Sequence, residues 1–200
     1  MGAHRARVAR HRDHGHRLRD QGRAVAQPGR ARGCGVTENR PGYDAAELVR
    51  RAVARGVTVG TAESLTGGAL ASAIVTVAGA SACFEGAVVS YSHAVKERVL
   101  GVSHELLEER GAVDPQVAVA MARGARERLG VDWAVSTTGV AGPEPHDGHP
   151  VGTAFVGIAG PGVERVERLD LSGDRAEIRQ ATVGRALDAL TTQISFPANA

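Results

Sequence analysis

Among 24 basic side chains the sequence holds a single lysine, Lys96. A chain this rich in arginine uses it wherever a plain positive charge suffices. Arginine effectively never releases its proton, whereas a desolvated lysine amine does. Lys96 follows Tyr91 by five positions, and Ser81 stands fifteen positions upstream. A serine beside a neutral lysine is a nucleophile–base pairing suited to acyl transfer. Keeping that amine mostly neutral near pH 7 means lowering its pKa by about 3 units, a differential of about 4 kcal/mol. Burial or a neighbouring cation supplies such a shift. Spacing alone does not bring the two side chains together. A cap or turn serine, two residues past Gly79, is the plainer reading of Ser81. The lone lysine reads equally as a survivor of compositional bias.

Two further stretches could contact a ligand. One is Ala62-Glu63-Ser64-Leu65-Thr66-Gly67-Gly68, the other Thr137-Thr138-Gly139-Val140-Ala141-Gly142-Pro143. A small-residue turn that opens a helix offers backbone N–H groups to an anion such as a phosphate. Neither stretch is a Walker A loop or a GxGxxG fingerprint, so ATP and dinucleotide readings are weak. Each reads equally as ordinary loop chemistry. His146, Asp147 and His149 sit in a Gly- and Pro-rich stretch that explains them without a metal. Cys83 reads as a small buried apolar residue.

The elements that must position these residues follow from caps and periodicity. Asp44 with Glu47 forms a capping box for a helix to about Arg55, with Leu48, Val49, Ala52 and Val53 inward and Gly56 as its stop. Val57–Thr61 predicts a first strand, and a small-residue helix should run from the glycine turn to about Ala78. Gly86–Ser92 predicts a near-continuous apolar, buried strand. Helical turns follow around Lys96 and over Ser103–Arg110. Asp114-Pro115 caps a helix over Gln116–Leu129. Trp133–Thr138 and Gly152–Ala159 predict two more strands, and the alternation of Val163–Leu171 predicts an edge strand with one wet face. A last amphipathic helix covers about Arg175–Thr192. Interleaved strands and helices predict a three-layer α/β/α sandwich with a mixed central sheet. Ligands in such sheets sit beyond the carboxyl ends of the strands.

The net charge of +2 over 200 residues hides two unlike segments. Residues 1–42 hold ten arginines and four histidines against three acids, and no aromatic residue. They lack periodicity and are expected to be a disordered basic extension to a domain over residues 43–200. A solvated extension or an overlong start is preferred to a nucleic-acid-binding tail, and His11, His14 and His16 lack the spacing of a metal site. Two cysteines without a CxxC exclude a disulfide scaffold. The longest mostly apolar run, Ala69–Ala82, falls short of the roughly 20 residues of a membrane span. No apolar core follows the basic start, so a secretory signal is not expected. A soluble, cytoplasmic protein with no membrane partner is the expectation.

The runs TAESLTGGALAS, VAGASACFEGAVVSYSHAVKERVLGVS, GAVDPQVAVAMARGA, TTGVAGP and HPVGTAF closely resemble the CinA C-terminal family, the nicotinamide-nucleotide amidohydrolases, over about residues 44–192. The resemblance implies a three-layer α/β/α fold and hydrolysis of the carboxamide of nicotinamide mononucleotide (NMN) to nicotinic acid mononucleotide and ammonia, in pyridine nucleotide salvage. It implies Ser81 as nucleophile, Lys96 as general base and Tyr91 as a positioning or proton-relay group. Ser64, Thr66 and Gly67 would shape the site from the first glycine-rich turn, and Thr138 and Gly139 would meet substrate. Arg175 and a helix N-terminus would hold the phosphate. No metal or other cofactor is implied, and a homodimer is plausible for such a domain. The chain departs from the family at Leu65, where cysteine is usual, and at His93, where asparagine is common. Larger relatives carry an N-terminal domain linked to ADP-ribose hydrolysis. Residues 1–42 are too few and too polar for it, so that activity is not expected. The alternative reading is a non-catalytic nucleotide-binding or competence/DNA-damage-associated module.

Overall fold

The computed structural model describes residues 44–195. The expectations for residues 1–42 lie outside the described residues. Helix α1 spans Ala45–Arg55, its first turn capped by the Asp44 carboxylate, which accepts the Glu47 N–H, and its end closed by Gly56 in the left-handed region. Ala45, Leu48, Val49 and Ala52 are buried, whereas Val53 is 46% exposed. Val53 was expected to face inward, but it lies off the stripe that the other four define on a 3.6-residue period.

Strand β1 covers Val59–Glu63, α2 Ala69–Val75, and β2 Phe84–Val89 after a single 3-10 turn at Ala80–Ala82. Helices α3 (His93–Leu100), α4 (His104–Arg110) and α5 (Pro115–Leu129) precede β3 (Trp133–Gly139), β4 (Thr153–Gly160), β5 (Val163–Asp170) and α6 (Arg175–Ser195). Ser92, Ser103 and Asp114 cap α3, α4 and α5 with side-chain oxygens, as short polar residues do at helix starts.

The strands order β2-β1-β3-β4-β5. β2, β1 and β3 run parallel, β4 runs antiparallel to β3 and β5 antiparallel to β4, so the sheet is mixed, with β2 and β5 as its edges. One apolar cluster packs α1, α2 and α6 against one face, through Leu48, Leu70, Ile74, Ile178 and Leu187. A second packs α3, α4 and α5 against the other, through Leu100, Leu107, Val117 and Met121. This is the three-layer α/β fold. The α3–α5 crossing is close: a Cβ on Gly124 would stand 1.9 Å from the Leu100 carbonyl oxygen.

Three elements differ from expectation by two residues or more. The second strand runs Phe84–Val89 rather than Gly86–Ser92, and because it stands at the other edge of the sheet it alternates half-buried and exposed residues instead of being buried throughout. The first strand starts and ends two residues later than predicted, because its register is set by β3: Val59 pairs with Trp133 and Glu63 with Thr137. Asp132 ties the strand starts together, its carboxylate accepting from the Thr58 N–H (2.8 Å) and hydroxyl (3.1 Å). That pairing draws Ala62 and Glu63, read as turn, into the strand. Helix α2 stops at Val75 rather than near Ala78, and its last residues give way to turns up to Gly79.

The topology also creates an opening. From β1 the chain moves to one neighbour, β2, and then crosses to the other side for β3. Ligands in open α/β sheets bind where the order reverses in this way. The segments leaving β1, β2 and β3 emerge together there, because parallel strands share one carboxyl edge.

Candidate active site

Alternation along β1 sends neighbouring side chains to opposite faces. Glu63 and Ser64 therefore part company at its end. Ser64 turns to the face covered by α3, where Lys96 meets it. Lys96 occupies the inward stripe of α3, one turn before Leu100, a position that would ordinarily take an apolar residue. It is 1% exposed. Its Nζ donates to Ser64 Oγ at 3.0 Å and to the Ser90 carbonyl at 2.8 Å. Among the described residues no carboxylate lies within bonding reach of it. Burial lowers the Lys96 pKa to about 8, against a weaker opposing pull from Asp147. An amine in that range is partly neutral near pH 7–8, which is what a general base requires.

Glu63 goes to the other face, toward α2, and is fully buried. Its carboxylate accepts from the N–H groups of Gly68 (2.8 Å), Leu70 (3.1 Å) and Ala71 (2.8 Å) and from the Thr66 hydroxyl (2.7 Å). The Thr66 proton being committed to Glu63, its oxygen accepts from the Thr137 hydroxyl at 2.7 Å. Gly67 and Gly68 take left-handed φ of 60° and 95°, which lets the chain fold back over the carboxylate. From α6, Arg179 Nε donates to the Leu65 carbonyl (2.9 Å) and Nη2 to the Thr66 carbonyl (2.6 Å).

A cleft of about 140 Å³ opens beside this turn, lined by Ser64, Tyr91, His93, Thr138, Gly139, His146 and Arg175 among others. Tyr91 is 63% exposed. Arg175 Nη1 donates to the Gly142 carbonyl (2.7 Å) and Nη2 to the Tyr91 hydroxyl (3.3 Å). The Thr138 hydroxyl donates to the Ala112 carbonyl at 2.6 Å, which joins two walls of the cleft. Asp147, at φ 49°, accepts from the Ala112 (2.6 Å) and Val113 (3.2 Å) N–H groups and so pins the loop that carries His146. Larger clefts lie between β5 and α6 (about 330 Å³) and beside α5 (about 360 Å³), but neither reaches the amine–hydroxyl pair. Among the described residues no group of three or more His, Cys, Asp or Glu could hold a metal ion.

The structure thus gathers Ser64, Tyr91, Thr138, Gly139 and Arg175 on one cleft, with the buried Lys96 bonded to Ser64 but not lining it, and leaves Ser81 out. Ser81 is exposed in the 3-10 turn that precedes β2, while Lys96 follows the other end of that strand. Six strand residues at about 3.3 Å each place about 20 Å between those ends. The expected Ser81–Lys96 pairing is therefore replaced by Ser64–Lys96. The strand register accounts for this: Glu63 is level with Val89, so the residues leaving β1 and β2 are neighbours.

Two further expectations change. Thr66 is fully buried and Gly67, though exposed, is not among the residues lining the cleft, so they support the site rather than line it. The α2 N-terminus does not await a phosphate, because the Glu63 carboxylate already fills it. The α6 N-terminus is likewise taken, with Asp174 accepting from the Ala176 (2.8 Å) and Glu177 (2.9 Å) N–H groups.

Glu63 and Arg179 went unread in the sequence. Glu63 carried a signal, a carboxylate closing an otherwise apolar and β-branched stretch. Arg179 carried a weaker one, its place one helical turn beyond Arg175. Cys83 is buried as expected, its thiol 3.5 Å from the Ala80 carbonyl.

The site's residues fall within a match to a known family. The family model described as CinA C-terminal domain matches residues 44–194. A CinA-like protein of Frankia casuarinae is 46% identical over 143 residues, covering 72% of this chain and 33% of that protein. A CinA-like protein of Parasynechococcus marenigrum is 46% identical over 142 residues, covering 70% and 34%. The chain's match thus spans about a third of the length of these curated relatives. Among solved structures, the competence damage-inducible protein A of Klebsiella pneumoniae superposes with a TM-score of 0.75 at 34% identity, over 77% of this chain and 96% of that one. The competence/damage inducible protein of Agrobacterium tumefaciens gives 0.70 at 36% identity, over 76% and 96%.

Proposed function

The chain belongs to the CinA C-terminal domain family, and from that premise we propose that it hydrolyses the carboxamide of NMN, with Ser64 as nucleophile and Lys96 as base. The observation that carries this reading is the 3.0 Å contact between a buried amine and the hydroxyl of Ser64, a residue that lines the cleft.

In this mechanism neutral Lys96 takes the Ser64 proton as Oγ attacks the carboxamide carbon. The C–O bond forms, and the carbonyl π pair moves to oxygen. Collapse expels the amide nitrogen, which receives the proton from the Lys96 ammonium and leaves as ammonia. Water then attacks the seryl ester with Lys96 again as base, and nicotinic acid mononucleotide departs as Ser64 regains its proton. The Ser90 carbonyl holds the amine in place through both steps. Arg175, half engaged with Gly142 and Tyr91 at the cleft mouth, supplies a fork of donors suited to a phosphate.

The test is ammonia release from NMN without added metal. Wild-type protein should turn over, and Ser64→Ala, Lys96→Ala and Lys96→Arg should not, because arginine keeps the charge but cannot accept a proton. NMN binding by calorimetry with no ammonia released would discard catalysis in favour of a nucleotide-binding module. Full activity in Lys96→Arg would discard the dyad.

A further inference from the structure

We propose that Arg179 is a positioning residue for the Ser64 nucleophile, acting through the turn backbone rather than on the substrate or on Lys96. The inference rests on the reading of Ser64 as nucleophile.

Ser64 heads a turn of five residues between β1 and α2 that has no ladder of its own. The Ser64 N–H is held by the Thr137 carbonyl at 2.9 Å, and the Gly67 N–H closes back on the Ser64 carbonyl at 3.1 Å. Glu63 gathers the N–H groups at the far end of the turn. The Thr66 carbonyl accepts the Ala69 N–H at 3.2 Å, and a single guanidinium from a helix more than a hundred residues later reaches both it and the Leu65 carbonyl. The planar fork of Arg179 fixes the directions of both carbonyls at once. Peptide planarity passes that direction to the rest of each unit. The Leu65–Thr66 unit is one peptide removed from Ser64, and the intervening Ser64–Leu65 unit is closed by the Gly67 N–H, so its tilt bears through that closed turn on where Oγ stands relative to Lys96 and the cleft. A misplacement of about 1 Å at a reacting atom costs on the order of 100-fold in rate.

Arg179 makes these contacts from the α2–α6 side of the sheet, whereas Lys96 reaches Ser64 from the α3 side. Removing Arg179 should thus disturb the aim of the hydroxyl and leave the proton affinity of the amine alone. A purely structural residue would instead lower the folded fraction with no change in rate per folded molecule.

The experiment reads Ser64 without relying on NMN. Diisopropyl fluorophosphate is attacked by a serine oxygen: the P–O bond forms, the P–F bond breaks, fluoride leaves and the base takes the proton. The rate of phosphorylation at Ser64 is followed by peptide mass spectrometry across pH 6–10, normalised to folded protein. Wild type should label at Ser64 with a midpoint near pH 8. Arg179→Leu should label about 100-fold more slowly with the same midpoint, and Arg179→Lys, with donors but no fork, should fall between. Arg185→Leu, on the same helix and paired with Glu167, should match wild type. If Arg179→Leu does not fold, Arg179→Lys alone decides, and a wild-type rate there overturns the proposal. A wild-type rate in Arg179→Leu overturns it while leaving the nucleophile standing. A shifted midpoint overturns it in favour of a charge effect on Lys96. No labelling of Ser64 in the wild type overturns the nucleophile reading and this inference with it.

Discussion

The two ends of the parallel strands use similar residues for different purposes. At the amino end, Thr58 and Asp132 form a latch in which the carboxylate takes two donors and the Asp132 N–H returns to the Thr58 oxygen at 3.0 Å. Ser81 nearby faces solvent. At the carboxyl end, Glu63 takes five donors and satisfies a helix start, and beside it Lys96 is buried with neutral oxygens as its hydrogen-bond partners. A buried amine that meets the residue next to a buried carboxylate would ordinarily pair with that carboxylate, and the pair would hold the lysine protonated. Strand alternation keeps them on opposite faces. The amino end thus spends its polar groups on holding strands together, and the carboxyl end on keeping one amine, among the described residues, out of bonding reach of any carboxylate, with only a weaker pull from Asp147.

The largest expected effect separates the two serines. Ser64→Ala and Lys96→Arg should lower ammonia release from NMN by about 10⁴-fold, whereas Ser81→Ala should stay within about twofold of wild type. A Ser81→Ala variant as dead as Ser64→Ala would erase the distinction between the ends.

Next comes the pH dependence of stability. Lys96 titrates near pH 8 in the folded chain against 10.5 as its ordinary value, so between those values the unfolded chain binds more protons. Stability should rise with pH across that window by up to about 3 kcal/mol and stay flat below it. Burial raises the Cys83 pKa, and this contributes with the opposite sign as pH climbs through the thiol range. The comparison is therefore between wild type and Lys96→Met in urea titrations at pH 7 to 10.5. The difference should shrink as pH rises, and a constant difference would mean the amine is not held deprotonated by burial.

Activity gives the kinetic counterpart. kcat/KM should climb through about pH 8 as Lys96 loses its proton. A profile flat from pH 7 to 9.5 would remove Lys96 as base.

The smallest effect tests the other end. Asp132→Ala leaves the Thr58 donors unpaired and should cost about 1–3 kcal/mol of stability with kcat unchanged, as read by denaturation and turnover on one preparation. A drop in kcat larger than the loss of folded protein would show that the latch also shapes the site.

Much of the architecture was legible because its signals are local. Asp44, Ser103 and Asp114 announce helix starts by the side-chain oxygens they offer, and Gly56 announces an end by its left-handed turn. Val163–Asp170 displays an edge strand in its alternation. Boundaries set by a partner were not legible. β1 moved two residues because Trp133 and Asp132 fix its register, and nothing within Val57–Glu63 encodes that. The same cause misdirected the nucleophile. Ser81 is the nearer serine along the chain, but a strand intervenes, whereas Ser64 is 32 positions away and level with the end of β2.

The sequence by itself determined that this is a layered α/β chain with one unusual cation and two polar turns where strands end, since caps, periodicity and composition act over a few residues. Only the tertiary structure decided which hydroxyl that cation meets, which acid keeps its distance and which arginine grips the turn. Those depend on strand register and on which face each side chain takes, and both are properties of the packed sheet.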